Sequence, residues 1–322
     1  MVSTNLKKVT IPVKGVSVYK MNSKEIPQNS YLVCMNPARE ILFKPWMTGI
    51  ELQVNAKEAA RLFLRTAYYL TPLKTSSSAE VCELVALCGG LYYRLSEGYG
   101  KVFGAPLQRC FVGAKRFMKN DGKNWDTAIT YGNFEALPRT SGVILVGDTI
   151  ATGGTLKRMI DELVRNLERK KCSPQALVIF SIAGSYYGAK VLKKIEDDLR
   201  KKWPNFKVYI FYAQAAFGLM PNGTDLKFLH KDSILPEEMR VEIEKRYGEY
   251  LGKEMKCAIF DWGDRCKNPK RHLREFEEFC NSLLRVAKEP KARKVLVEMK
   301  RHSEKELARL EDPLRLKGNG KG

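Results

Sequence analysis

Apolar and polar positions follow two rhythms along this chain. Short runs in which nearly every residue is apolar, such as "LVALC", "GVILVG", "QALVIFSIAG" and "KVYIFYA", recur through its middle. Between them lie longer segments with apolar residues every third or fourth position, such as "TLKRMIDELVRNLERK" and "YYGAKVLKKIEDDLRKK". Continuous apolar runs bounded by turn residues read as strands buried on both faces, and the longer spacing reads as amphipathic helices. Their alternation predicts βαβ units, hence an α/β fold with a mostly parallel twisted sheet flanked by helices. Strands are expected from about Leu84, at "RCFVGAKR", at "GVILVGD", at "QALVIFSIAG" and at "KVYIFYAQAAF". Helices are expected over "NAKEAARLFLRTAYYL", with Asn55 as N-cap, and after the pair Gly89-Gly90.

The pattern changes at both ends. Residues 1–54 are rich in Val, Ile and Tyr and punctuated by Pro12, Gly15, Pro27, Pro37 and Pro45, which predicts a β-rich N-terminal extension. Residues 55–268 carry the alternating pattern, with an insertion near 224–253 that includes the helical "PEEMRVEIEKRYGEYLG". Residues 269–322 read as a basic helical C-terminal extension. In an open parallel sheet ligands bind at the carboxyl ends of the strands. That rule would align Gly89-Gly90, Lys115-Arg116, Asp148 to Thr155 and Ala183-Gly184 along one edge.

Composition narrows the function classes. With 44% hydrophobic residues in 322, the chain can bury a sizeable core. Its longest apolar run is too short to cross a bilayer, and the first residues lack a continuous signal-peptide core, so a cytoplasmic protein without membrane attachment is expected. Eight cysteines without a CxxC pair signal neither a zinc site nor a redox motif. The 56 Lys and Arg against 36 Asp and Glu give a net charge of +20, open to two readings. Solvated helix faces account for segments such as "RNLERKKC", where acids are interspersed; a nucleic-acid partner would account for the excess as a whole.

The stretch "VILVGDTIATGGT" carries the chemistry. It joins a buried-looking strand, an acid and a cluster of very small residues to the start of a helix. Backbone N–H groups converge on a phosphate only where side chains do not intrude, and a helix N-terminus adds unpaired N–H groups and a favourable dipole. Thr152 and Thr155 add hydroxyls. The terminal Gly-Lys-[Ser/Thr] of a Walker loop and the spacing of a dinucleotide fingerprint are both lacking. A tight turn packed for its own sake is the competing explanation.

This stretch resembles the phosphoribosyl pyrophosphate (PRPP) loop of the type I phosphoribosyltransferases, and "ATGGT" is most similar to the uracil phosphoribosyltransferases. "CFVGAKRF", "YGNFEALP" and "FDWGDR" follow that family's order, over roughly residues 55–265. The resemblance implies a Mg²⁺-dependent pentosyltransferase of nucleotide salvage that joins a nucleobase, uracil or another pyrimidine, to PRPP with release of pyrophosphate. It implies that Thr149, Ala151, Thr152, Gly153, Gly154 and Thr155 hold PRPP, that Asp148 faces the ribose, and that Arg116, helped by Lys115, binds pyrophosphate. Asp148 and Arg116 would be the catalytic pair. Cys88, Gly89 and Gly90 would form the pyrophosphate turn. Asp261 would sit between PRPP and the base, with Met255, Phe260 and Trp262 lining the base pocket. The ion would be held mainly through PRPP, and a homodimer is implied.

Four positions depart from the family pattern. Gly147 stands where the motif begins with an acid, Asp148 where the uracil enzymes have proline, Cys88 where they have a phosphate-contacting arginine, and Phe260 where they have glycine. Losing one charge-assisted phosphate contact costs about 1.5–3 kcal/mol. A second reading therefore stays open: a non-catalytic PRPP or nucleotide sensor, or a nucleic-acid-binding regulator, on the same fold. Arg94 is read as a solvated helix face, and Asp264 and Arg265 as a mutual pair or a turn cap.

Overall fold

The computed structural model describes residues 5–87, 89–118, 125–138, 142–256 and 262–312. The first element is an antiparallel meander, β1 (Asn5–Val9), β2 (Val16–Asn22) and β3 (Asn29–Met35). Helices α1 (Asn36–Phe43) and α2 (Gly49–Leu70) follow, then β4 (Val81–Leu87), α3 (Leu95–Phe103) and the antiparallel pair β5 (Gln108–Met118) and β6 (Trp125–Asn133). The middle of the chain runs β7 (Val143–Gly147), α4 (Gly154–Arg169), β8 (Ala176–Ser181), β9 (Gly184–Ser185), α5 (Tyr186–Lys202) and β10 (Lys207–Ala213). Two short strands, β11 (Ala216–Leu219) and β12 (Leu226–Lys227), precede α6 (Glu237–Glu254), α7 (Trp262–Lys267), α8 (Pro269–Val286) and α9 (Pro290–Glu311).

Nine strands form one sheet in the order β1-β2-β3-β10-β8-β7-β4-β5-β6. From β3 to β5 every neighbouring pair is parallel. The continuous apolar runs explain this: β7 and β8 are buried along their whole length because helices cover both faces. On one face Leu156, Met159, Ile160, Leu163 and Leu167 of α4 pack with α5 residues such as Ala189 and Leu192. On the other, α1, α2 and α3 pack with α6, α8 and α9 in a second apolar cluster. No described helix is long and apolar enough to cross a membrane.

From β4 the chain steps one way to β5, whereas β7, β8 and β10 build the other way. The connections leaving the carboxyl ends of β4 and β7 therefore diverge, and a crevice opens between them. This is the topological switch point of the sheet.

Several expectations need adjusting. Asn55 is not an N-cap: α2 starts six residues earlier, at Gly49 after Thr48, and the Asn55 amide donates to the Glu51 carbonyl at 3.0 Å inside the helix. Ile50 and Val54, 78% and 60% exposed, broke the apolar spacing that would have marked the first turns. The N-terminal strands continue the central sheet, β3 lying parallel against β10, because Leu32 and Val33 are fully buried there. "KVYIFYAQAAF" is two strands, split where Gln214 takes a left-handed φ of 67° and donates its side-chain amide to the Met35 carbonyl at 2.6 Å. The second half leaves the main sheet to pair with β9 and β12.

Candidate functional site

The small-residue loop spans the gap between β7 and α4. Its inner side is bonded to the next strand: Asp148 N–H donates to the Phe180 carbonyl and Ile150 N–H to that of Ala183, both at 3.1 Å. Ser185 returns the contact, its N–H reaching the Ile150 carbonyl at 2.8 Å and its hydroxyl donating to the Ala151 carbonyl. Gly153 then turns the chain into α4 with φ of 77°, a value that favours glycine. Beyond this anchored part the N–H groups of Ala151, Thr152, Gly153 and Thr155 have no acceptor among the described residues, and that of Gly154 has only the Thr152 hydroxyl at 3.4 Å. These donors lie in the loop leading into, and at, the positive end of a 16-residue helix.

The loop borders a cavity of about 300 Å³ at the switch point. Ala151 and Thr155 line it together with Asp148 and Thr149. Leu87 and Gly89 contribute from the end of β4, and Ala114 and Arg116 from β5. Thr224, from the turn between β11 and β12, and Trp262, Gly263 and Lys267 of α7 also line it, as do Ala86 and Met159. The expected alignment of Gly89, Arg116 and the loop along one edge is thus observed. Ala183 and Gly184 lie directly behind it, fully buried.

Individual side chains differ in how far they reach. Lys115 does not line the cavity; it alternates with Ala114 and Arg116 along β5, and alternation along a strand sends it to the opposite face. Thr152 faces a second cavity of about 420 Å³ behind the loop, against Gly223. Gly90 backs the wall, where an added Cβ would lie 3.2 Å from the Gly147 carbonyl. Met255 is packed in the core at 1% exposure and does not line the cavity. Arg94 pairs with Glu97 and Gln53, each at 2.6 Å, away from the cavity. Cys88, Phe260 and Asp261 lie outside the described residues.

Gly147 has a steric cause. A Cβ on it would stand 2.6 Å from Cβ and 2.7 Å from Cγ of Tyr93, which fills this space and is fully buried. The Tyr93 hydroxyl contacts the Thr149 hydroxyl at 3.1 Å and accepts the Ile182 N–H at 3.3 Å. Burial, and then the negative charge of Asp148 close by, push its phenol above the ordinary value. The space beside Asp148 that a second carboxylate would need is occupied by an aromatic ring.

Trp262 is 3% exposed and tilted against Tyr93, ring centroids 5.5 Å apart. The pyrrole edge of its indole faces Gly89, where an added Cβ would be 3.8 Å from Cδ1. Its indole N–H has no hydrogen-bond partner among the described residues. The next residues of "FDWGDR" are structural. Arg265 is fully buried and donates to the carbonyls of Ile41, Lys44 and Met47 at 3.1, 2.6 and 3.0 Å, closing the end of α1. Asp264 binds Arg271 and Asn268, with Lys267 at 3.6 Å. The turn-cap expectation holds for Arg265; the mutual pairing does not.

Sequence reasoning missed Tyr93, Thr224 and Lys267. Lys267 carried a faint signal, three residues past Asp264 and therefore on one face of any helix there. Neither protein-family models nor curated protein sequences match this chain.

Proposed function

We propose that the cavity binds PRPP and that the protein is a phosphoribosyltransferase acting on a nucleobase, most simply uracil or another pyrimidine. The observation that carries this reading is the loop before α4, whose Ala151 and Thr155 have amides without an acceptor among the described residues and line a switch-point cavity that also presents Asp148 and Arg116. A sugar-linked phosphate matches the amides, a carboxylate matches ribose hydroxyls, and a guanidinium matches pyrophosphate. The mostly parallel sheet agrees with the fold that the resemblance to type I phosphoribosyltransferases implies.

The chemistry asks little of side chains. Breaking the C1–pyrophosphate bond makes the ribose cationic and the leaving oxygens more negative. Asp148 would orient the ribose hydroxyls and stabilise the ring, Arg116 would take up the growing negative charge, and the incoming base supplies the nucleophilic nitrogen. Trp262 and Leu87 would keep water from the sugar. The donor set suits a Mg²⁺ that arrives with its ligand. Asp148 is the one carboxylate among the described lining residues, and no described group of three or more His, Cys, Asp or Glu could hold a metal by itself. When bound, the ion would add positive charge beside the leaving oxygens.

Tyr93 favours the second reading, a sensor on the same fold. Its ring stands against Gly147, where the resemblance calls for an acid, and Asp148 is the one carboxylate among the described lining residues. Calorimetry with Mg²⁺–PRPP on the wild type, Asp148→Asn and Thr155→Val tests the binding half. Each change is expected to weaken affinity about tenfold or more; equal affinities would remove the loop from the site. Pyrophosphate release on adding pyrimidines then distinguishes the transferase from the sensor.

A further inference from the structure

We infer that Lys267 is a second cation of the pyrophosphate subsite, acting with Arg116 across the cavity. The inference rests on the PRPP reading and names a binding residue that the sequence did not single out.

The charges around the cavity motivate it. Among the described residues, the end of β4 contributes the uncharged Ala86, Leu87 and Gly89. Among the described lining residues the cations are Arg116 from β5 and Lys267 from α7, against the carboxylate of Asp148. Pyrophosphate bound to one divalent ion is still net negative, so one guanidinium beside one carboxylate leaves the described lining short of positive charge. Lys267 adds to that balance from α7.

Its position is also well supported. A lysine on a loose segment would lose much of its binding energy to ordering. Lys267 ends a short helix pinned at two points, by the buried Trp262 and by Arg265 with its three carbonyl partners. The side chain is 45% exposed, so its ammonium keeps contact with solvent. Its neighbour Asp264, 3.6 Å away, is shared with Arg271 and Asn268, and so balances more than one donor. Lys267 further borders an outer trough of about 820 Å³ with Lys270, Arg271 and Arg274. Glu275 and Glu278 also line that trough, so Lys267 stands between the cavity and a surface on which cations outnumber acids.

The test uses the full chain and three probes: Mg²⁺–PRPP, Mg²⁺–pyrophosphate and ribose 5-phosphate, each titrated calorimetrically into wild type, Lys267→Gln, Lys267→Arg and Lys270→Gln. Lys267→Gln is expected to weaken PRPP and pyrophosphate about ten- to hundredfold and to leave ribose 5-phosphate unchanged. Lys267→Arg should restore most of the loss, and Lys270→Gln should shift none of the three by more than about threefold. The wild-type pyrophosphate affinity should fall more steeply with salt than that of Lys267→Gln. Equal pyrophosphate affinity in wild type and Lys267→Gln would overturn the inference, and so would an equal loss for ribose 5-phosphate, which lacks the leaving group. The two layers separate cleanly. Pyrophosphate bound through Lys267 by a protein that ignores PRPP would sink the transferase reading and keep the Lys267 assignment. PRPP bound equally by wild type and Lys267→Gln would do the reverse.

Discussion

Two helix ends in this molecule face the same electrostatic problem and resolve it in opposite ways. At the carboxyl end of α1 the carbonyls of Ile41, Lys44 and Met47 are met by a single buried guanidinium, that of Arg265. At the amino end of α4 the amides from Ala151 to Thr155 find almost no acceptor among the described residues, and Ala151 and Thr155 line a cavity. The first end is finished internally, and the N- and C-terminal parts of the chain are tied together in the process. The second is finished only when an anion arrives. A helix end closed by the protein contributes stability, whereas one left open contributes affinity; the two therefore respond to different substitutions.

The largest effect is expected at the closed end. Arg265→Met strips three carbonyls of their donor in a site without solvent, and should cost about 3–5 kcal/mol in urea unfolding. Asp148→Asn and Thr155→Val at the open end should change unfolding by less than about 1 kcal/mol while lowering PRPP affinity. Were Arg265→Met to unfold like the wild type, the distinction between the two ends would collapse.

Next in size is a substitution that restores the expected acid. Gly147→Asp drives its Cβ into Tyr93 and should destabilise by about 3 kcal/mol through overpacking. Adding Tyr93→Ala removes the clash, so the double variant should be more stable than the sum of the two single changes predicts, by about 1 kcal/mol or more. Strict additivity would mean that Tyr93 does not dictate glycine at 147. If the double variant also gains pyrophosphate release, the sensor reading gains a physical origin in this one pair.

How much of this was legible in the sequence follows from which interactions are local. The strands β7 and β8, the helices α4 and α5 and the loop between β7 and α4 are written in consecutive residues, as period and as turn chemistry. Their meeting with Gly89 and Arg116 followed from topology alone. What stayed hidden depends on residues far apart in the chain. Gly147 is explained by Tyr93, 54 positions earlier, and Arg265 by carbonyls more than 200 positions away. Lys115, expected to help Arg116, is sent to the other face of β5 by strand alternation. Asn55 misled because Ile50 and Val54 are exposed apolar residues, and spacing alone cannot tell an exposed apolar residue from a buried one.

The smallest expected effect probes the closed end through pH. His272 sits beside Arg265 at 1% exposure, its ring 2.7 Å from the Pro45 carbonyl through Nε2. Burial, and then the charge of Arg265, push its pKa down to about 3, against the opposing pull of the Pro45 carbonyl and Asp264. In the unfolded chain the imidazole titrates near its ordinary value of about 6.5. Between those values the unfolded state binds the extra proton, so stability is held at and above neutrality and is lost as pH falls. From pH 7 to pH 5 the loss should be about 2 kcal/mol. Urea midpoints measured across that interval give the slope directly, and His272→Gln should flatten it while lowering stability at pH 7. A variant with the wild-type slope would assign the acid sensitivity to other groups. PRPP affinity in His272→Gln should stay close to wild type, since the ring belongs to the end of the structure that needs no ligand.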